Sequence, residues 1–443
     1  MKRRLLTPGP AEVPADTLLE LAKPVFHHRT KEFRDILAEV VEGLKYVFQT
    51  QNDVFVFTAS GTGAMEAAVV NLLGPGEKAI CVRGGKFGER WAELCERFGA
   101  QVIPIEPGWG NPPEPAAIEA ALRQDPDIAA VYTTLCETST ATVADIEAIG
   151  KIVATTNACL VVDGISAVGA IPLKTDEWGV DVLVVGSQKA LLLPPGLAFI
   201  AVSQKAWERV ESVPQRAYYF DLRAARKAAE KKGDTPYTPA NTLVAALRKS
   251  LKMIRAEGIE AIWARHHTIA EAVRAAAAAL GLKLFSSAPA DAVTALVMPE
   301  GIDAEEVRKV LNTRYGVVVA GGQEQLKGKI IRIGHFGHIE LATPVIHVGF
   351  VKYIHDFLNA FCSECGRILI SQDKIEQYKE RIKEAWMEIG EEPTNIYEEI
   401  LHEAKKAQRC PHCMKKQNPV EFSKPTNFYE QVEGASVPLS PST

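Results

Sequence analysis

The chain lacks any apolar run approaching the roughly 18 residues that a membrane span needs, and nothing in its 443 residues reads as a transmembrane helix. A secretory leader is also missing. Met1-Lys2-Arg3-Arg4 is basic, but Pro8 and Pro10 interrupt the segment before an apolar stretch develops. There is no large excess of either charge: 50 Lys and Arg face 55 Asp and Glu, for a net charge of −5, so the balance gives no argument for a nucleic-acid or acidic-lipid partner. No internal repeat is visible. These absences predict a cytoplasmic protein. A hydrophobic share of 47% and a charged share of 24% are those of an ordinary globular chain, long enough for two or three domains with sizeable cores.

Cysteine is sparse, at eight residues in two groups. Cys81, Cys95, Cys136 and Cys159 are scattered and read as free, mostly buried thiols. Cys362, Cys365, Cys410 and Cys413 form two Cys-x2-Cys pairs, which in a cytoplasmic protein suggest metal before disulfide.

Between residues 50 and 200, short apolar runs alternate with helical patterns. The segments 53–57, 78–82, 101–105, 128–134, 158–163, 180–186 and 197–203 read as strands, nearly continuous in apolar residues as strands buried on both faces are. Helices are expected at 63–73, 86–98, 114–123 and 143–155. This alternation predicts an α/β fold with a mostly parallel sheet covered on both sides. Residues 239–280 read as one long helix. Residues 283–333 read as a smaller α+β unit, with a strand at 292–298, a helix at 303–313 and a strand at 329–334. After about 338 the composition shifts. Residues 371–408 are charged and helix-prone, and the end, "GASVPLSPST", is small and polar and is expected to be disordered.

Five local features carry chemistry. Thr58-Ala59-Ser60-Gly61-Thr62-Gly63 follows a strand and opens a helix, where successive backbone N–H groups form an anion site; a plain strand-to-helix turn is the alternative. Phe87 stands in "GGKFGERW", where glycines permit close approach of a flat ligand, although an isolated Phe is usually core. Asp163 ends an apolar strand, at the edge where ligands bind in open α/β sheets, and could hold a protonated pyridine nitrogen or cap a helix. Lys189 directly follows a buried strand and precedes an apolar Pro-Pro-Gly loop. Burial lowers the pKa of such an amine and makes it a nucleophile toward aldehydes. Arg332, on a late strand, offers a fork for a carboxylate. An Asp at one strand end and a Lys about 26 residues on, at another, are the pair a pyridoxal site needs: a pyridinium partner and a Schiff-base amine.

The segments "LLTPGPAEVP" (5–14), "HHRTKEF" (27–33), "TASGTGAMEAAVVNLL" (58–73), "GGKFGERW" (84–91), "CETSTA" (136–141), "VVDGISAVGAIPL" (161–173), "GSQKALLLPPGLAFIAVS" (186–203), "YTPANTLVAALRKSL" (237–251) and "KIIRIGHFG" (329–337) occur in this order. Through them, residues 5–337 resemble the class V, fold-type I aminotransferases of the alanine–glyoxylate and serine–pyruvate group. The resemblance implies pyridoxal 5'-phosphate bound by Lys189, with Asp163 on the pyridine nitrogen and Phe87 stacked on the ring. Thr138 and Ile165 would touch the ring, and Ser60, Gly61, Thr62 and Gln188 would hold the phosphate. Thr238 would reach the neighbouring subunit's phosphate, implying a homodimer. Arg332 would bind the substrate carboxylate, and the loop at Pro8-Gly9-Pro10 would line the substrate mouth. The implied substrates are a small amino acid, alanine or serine, and a keto acid, glyoxylate or pyruvate. The implied organisation is a large cofactor domain at 1–255 and a small, truncated domain at 256–337.

Residues 335–430 resemble a different family, the clamp region of the archaeal RNA polymerase largest subunit. The matching pieces are "GHFGHIELATPVIHVGF" (334–350), "CSECGRILIS" (362–371), "YKERIKEAW" (378–386), "CPHC" (410–413) and "EFSKPTNFYE" (421–430). This implies a helical zinc module at 338–430, with Cys362, Cys365, Cys410 and Cys413 around a structural Zn2+, and a disordered tail at 431–443. An earlier zinc knuckle of that family would fall on Arg332 and His335 and is lost. His335, His338, His347 and His355 read as helix or surface residues. No run of aspartates for polymerase metals is present. Two other readings stay open: an inert scaffold in which the zinc module contacts a partner, and a lyase or desulfurase on the same fold.

Overall fold

The computed structural model describes residues 4–279 and 281–337. The strands expected from the apolar runs form one seven-stranded sheet. In chain order they are β1 (Asp53–Phe57), β2 (Lys78–Val82), β3 (Gln101–Ile105), β4 (Ile128–Thr134), β5 (Cys159–Asp163), β6 (Val182–Gly186) and β7 (Ala198–Val202). Their order across the sheet is β1-β7-β6-β5-β4-β2-β3. The run from β6 to β3 is parallel, and β7 is antiparallel to both its neighbours.

Alternate residues of the central strands feed two separate cores. Leu160 and Val162 of β5, with Leu183 and Val185 of β6 and Phe199 of β7, face one side. Val161, Val182, Val184, Ala198 and Ile200 face the other. The first side is covered by α1 (Lys31–Phe48), whose Phe33, Ile36, Leu37, Val40, Leu44 and Val47 are buried at helical spacing. Thr30 starts that helix by accepting the Phe33 N–H at 3.3 Å. The second side is covered by α2 (Gly61–Leu72) and α3 (Lys86–Arg97), with Met65, Val69, Leu72, Trp91 and Cys95 buried against the strands. α4 (Pro115–Gln124) and α5 (Ile146–Val153) complete the alternation.

The long helix expected over 239–280 is two helices, α6 (Asn241–Glu257) and α7 (Ile259–Ala279). Gly258, at φ +90°, breaks the run in a conformation that L side chains rarely adopt. Four helices had no counterpart in the sequence reading: Ala15–Leu21, α1, Gln204–Ser212 and Leu222–Lys232. A second, antiparallel sheet follows, of β8 (Lys283–Leu284), β9 (Val293–Val297), β10 (Ala320–Gly321) and β11 (Ile330–Gly334), in the order β8-β9-β11-β10, with α8 (Ala304–Tyr315) against it.

The amino-terminal segment runs over both sheets. Arg4–Leu5 pairs in parallel with Val317–Val318. Leu6 accepts the Gly334 N–H at 2.8 Å, and the Ala11 N–H donates to the Gln188 carbonyl at 2.8 Å. Among the described residues no helix is long and apolar enough to cross a membrane. The four scattered cysteines are free and buried, as expected.

Candidate active site

The loops after β4, β5 and β6, the start of α3 and the end of β11 supply the candidate residues. Asp163 is the last residue of β5 and is buried. Its Oδ1 accepts the Ile165 N–H at 2.8 Å. Burial raises its pKa to about 7, opposed by that hydrogen bond and by the charges of Lys189 and Arg90, and reinforced by the charge of Glu137.

Lys189 lies three residues past β6, in a loop held shut by Ser187, whose Oγ donates to the Pro194 carbonyl at 2.8 Å and accepts the Leu197 N–H at 3.2 Å. The lysine is 8% exposed, and its Nζ donates to the Pro8 carbonyl at 2.5 Å. The Phe336 ring centroid is 5.7 Å from the same nitrogen. Burial lowers the amine to about 8, against the opposing charges of Asp163 and Cys136 and with help from Arg332. The two groups expected to form the pair therefore lie at adjacent strand ends and feel each other's charge.

Arg332 sits in the middle of β11 and is buried. Its Nε donates to the Gly321 carbonyl at 2.8 Å and its Nη1 to the Thr138 carbonyl at 2.9 Å. These two bonds fix the plane of the guanidinium and leave Nη2 without a hydrogen-bond partner among the described residues. Burial lowers its pKa to about 10, and the charge of Glu137 opposes the shift.

The segment Ser60-Gly61-Thr62 opens α2, and the helix start has no side-chain cap; the Gly63 N–H donates to the Ser60 carbonyl at 2.8 Å, which leaves the Gly61 and Thr62 N–H groups for a ligand. Ser60 is exposed and Thr62 half-buried, with its Oγ1 accepting from Arg90 Nη1 at 3.2 Å. A Cβ on Gly61 would lie 2.5 Å from Ile165 Cδ1, so glycine is what lets the turn meet Ile165. Gln188 Oε1 is buried without a partner among the described residues. Phe87 is half-buried at the start of α3, with the Arg90 guanidinium 5.0 Å from its ring centroid. Thr138 is buried beside the Arg332 anchor. Thr238 is exposed, on the loop that leads into α6. Gly9 packs so closely on the Lys189 side chain that a Cβ there would collide with it.

Two residues of the site were not singled out from sequence. Glu137 is buried and accepts from the backbone of Phe87 and Gly88. Phe336 lies against the Lys189 amine. Both stand inside quoted motifs, which was the available signal. His335, read as a helix or surface residue, is fully buried at the end of β11, with its Nε2 2.8 Å from Thr294 Oγ1. Past the end of β11 its N–H still donates to the Ala292 carbonyl at 3.0 Å, a contact that the histidine spacing did not reveal. Cys362, Cys365, Cys410 and Cys413, the zinc module and the 431–443 tail lie outside the described residues.

A family model described as "Aminotransferase class-V" matches residues 20–335. The chain belongs to the class-V aminotransferases. A protein named "Soluble hydrogenase, small subunit" from Synechococcus sp. is 44% identical over 344 residues, covering 76% of this chain and 89% of that protein. An L-aspartate–glyoxylate aminotransferase of Paracoccus denitrificans is 39% identical over 343 residues, covering 76% and 86%. The crystal structure of a ureidoglycine–glyoxylate aminotransferase from Bacillus subtilis superposes with a TM-score of 0.76 at 30% identity, covering 80% of this chain and 94% of that one. A model described as "RNA polymerase Rpb1, domain 1" matches residues 320–436, so the two family matches overlap at 320–335.

The residues present fit pyridoxal 5'-phosphate, the cofactor of this aminotransferase family. An amine held near neutrality meets the need for an aldehyde-reactive lysine, and a buried carboxylate stands beside it for a ring nitrogen. An uncapped helix start and the unpartnered Gln188 Oε1 offer groups for an anionic substituent.

Proposed function

We propose that this chain transfers an amino group from a small amino acid, alanine or serine, to glyoxylate or pyruvate, with pyridoxal 5'-phosphate bound at Lys189. The observation that carries the reading is the buried Lys189 amine next to Asp163 at the carboxyl ends of β6 and β5. When bound, the cofactor supplies an aldehyde that condenses with amines and a ring that takes up electrons from the substrate's α-carbon.

In this reading Lys189 would be the residue that holds the cofactor, through its Nζ. Once free, that amine would take the proton from the donor's α-carbon and, in the return half, would deliver one to the acceptor's carbonyl carbon. Asp163 keeps a proton on the ring nitrogen, and Phe87, Thr138 and Ile165 hold the ring. Ser60, Gly61, Thr62 and Gln188 hold the phosphate. Arg332 orients the α-carboxylate, with its plane already fixed by two backbone carbonyls. The Pro8-Gly9-Pro10 loop lines the mouth. Thr238, exposed on its loop, completes the partner's phosphate site in a cytoplasmic homodimer. We place the boundary between the large and small domains at 255/256, next to the helix break at Gly258.

Borohydride reduction and peptide mapping test the reading: the cofactor is expected on Lys189. A half-reaction screen with alanine, serine and aspartate, followed by glyoxylate or pyruvate, identifies donor and acceptor. A desulfurase would need a reactive, mobile thiol, whereas Cys136 is buried and burial pushes its pKa well up. For the carboxyl-terminal segment we propose a structural Zn2+ held by Cys362, Cys365, Cys410 and Cys413, supported by their paired spacing.

A further inference from the structure

The start of α3 is capped from a distance. Its own cap residue is Gly85, which has no side chain to offer the first N–H groups. The loop after β4 supplies them instead. Ser139 Oγ accepts the Lys86 N–H at 3.0 Å. Glu137 Oε2 accepts the N–H of Phe87 at 3.1 Å and of Gly88 at 2.9 Å. The other oxygen, Oε1, accepts from Ser139 at both its N–H, 3.1 Å, and its hydroxyl, 2.5 Å. Both carboxylate oxygens are thus committed, in a residue only 5% exposed. Burying a carboxylate is costly unless hydrogen bonds and a helix dipole offset it. Gly85 is required by this arrangement. A Cβ there would lie 2.6 Å from Glu137 Cγ and Cδ.

We propose that Glu137 is a positioning residue for Phe87: its carboxylate clamps the first turn of α3 and so sets where the Phe87 ring meets the cofactor. The proposal rests on the reading of Phe87 as the ring contact. The residue after it, Thr138, holds Arg332 through its carbonyl. One short buried segment therefore grips both the ring-binding helix and the carboxylate-binding arginine.

The test uses the full chain, with Glu137→Ala, Glu137→Gln, Gly85→Ala and Phe87→Ala. Hydrogen exchange on the cofactor-free protein reads the clamp directly. The Phe87 and Gly88 amides are expected to lose protection in Glu137→Ala and Gly85→Ala and to lose less in Glu137→Gln, whose amide oxygen can still accept both N–H groups although its NH2 then faces the Ser139 N–H. The dissociation constant for pyridoxal 5'-phosphate is expected to rise about 10-fold in the first two variants, the scale of one lost charge-assisted hydrogen bond. In Glu137→Gln the rise is expected to be smaller than in Glu137→Ala, and in a Phe87→Ala background the loss from Glu137→Ala should shrink below about 2-fold, as it does when two residues act as one unit. Unchanged amide protection in Glu137→Ala, or the same loss of affinity with and without Phe87, overturns the proposal. If Glu137→Ala does not fold, Gly85→Ala carries the same comparison. Failure to trap the cofactor on Lys189 would end the reading of the site, yet leave the amide result standing.

Discussion

Lys189 Nζ donates to the carbonyl oxygen of Pro8, 181 residues earlier, at 2.5 Å. The amino-terminal segment is thereby part of the site: its carbonyl holds the amine in place before any aldehyde arrives, and Gly9 lies flush against the lysine stem. Because Leu6 and Ala11 on either side of this contact bond to Gly334 and Gln188, the loop is held by β11 and by the lysine's own loop together.

The two buried ionisable groups give the cofactor-free protein a defined pH dependence. Lys189 titrates at about 8, below the ordinary lysine value of 10.5, so between these values the unfolded chain binds the extra proton and stability rises with pH. Asp163 titrates at about 7, above the ordinary 3.8, so between those values the folded chain holds the proton and stability falls as pH rises. Urea unfolding of the cofactor-free protein is expected to show a minimum between about pH 7 and 8, each arm worth a few kcal/mol at most. Lys189→Met should flatten the alkaline arm and Asp163→Asn the acid arm. An alkaline arm unchanged in Lys189→Met would assign it to another group.

Arg332 lends itself to a substitution that separates binding from chemistry. Its fork is oriented by the carbonyls of Gly321 and Thr138, a geometry that a lysine ammonium cannot copy. Arg332→Lys is expected to raise KM for the amino donor by about 30- to 100-fold, roughly 2–3 kcal/mol for a charged hydrogen-bonded pair, while cofactor absorbance stays unchanged. Steady-state kinetics with a titration of the visible band separates the two effects, and loss of cofactor would count against a carboxylate role.

Much of this was legible in the sequence because the central strands are buried on both faces. β5 and β6 read as nearly unbroken apolar runs, and Asp163, which ends β5, and Lys189, three residues past β6, stand out as charges where burial is expected. What escaped depends on contacts distant in sequence. Glu137 looks like any loop acid until Gly85 and Phe87, some fifty residues earlier, come against it. The break at Gly258 escaped because flanking helical periodicity continues on both sides, and only the positive φ reveals it. His335 is buried and meets Thr294, 41 positions earlier, in a contact that no local pattern announces.

The carboxyl-terminal cysteines allow a metal-removal experiment independent of the cofactor. Elemental analysis is expected to give about one zinc per chain for four thiolates in two Cys-x2-Cys pairs. A Cys410→Ser, Cys413→Ser double variant should lose the metal and keep borohydride trapping at Lys189. Retention of zinc by that variant would place the metal elsewhere.

Gly9→Ala asks whether the amino-terminal loop matters to the amine it touches. The residue sits at φ +118°, which disfavours any side chain, and its Cβ would collide with Lys189. Ala11, Ala190 and Phe336 around this point belong to one of the two cores, and the expected loss of global stability is about 1–3 kcal/mol, that of a strained backbone position. The effect on the site should be larger than that. With the Pro8 carbonyl displaced, the lysine loses its acceptor and its fixed rotamer, and the rate at which the cofactor-free protein captures pyridoxal 5'-phosphate is expected to fall at least about 10-fold, as it would for one lost positioning contact. Stopped-flow absorbance follows the capture, and thermal unfolding of the same sample reports on folding. Capture at the unaltered rate in a folded Gly9→Ala protein would mean that the lysine finds its reactive position without the loop.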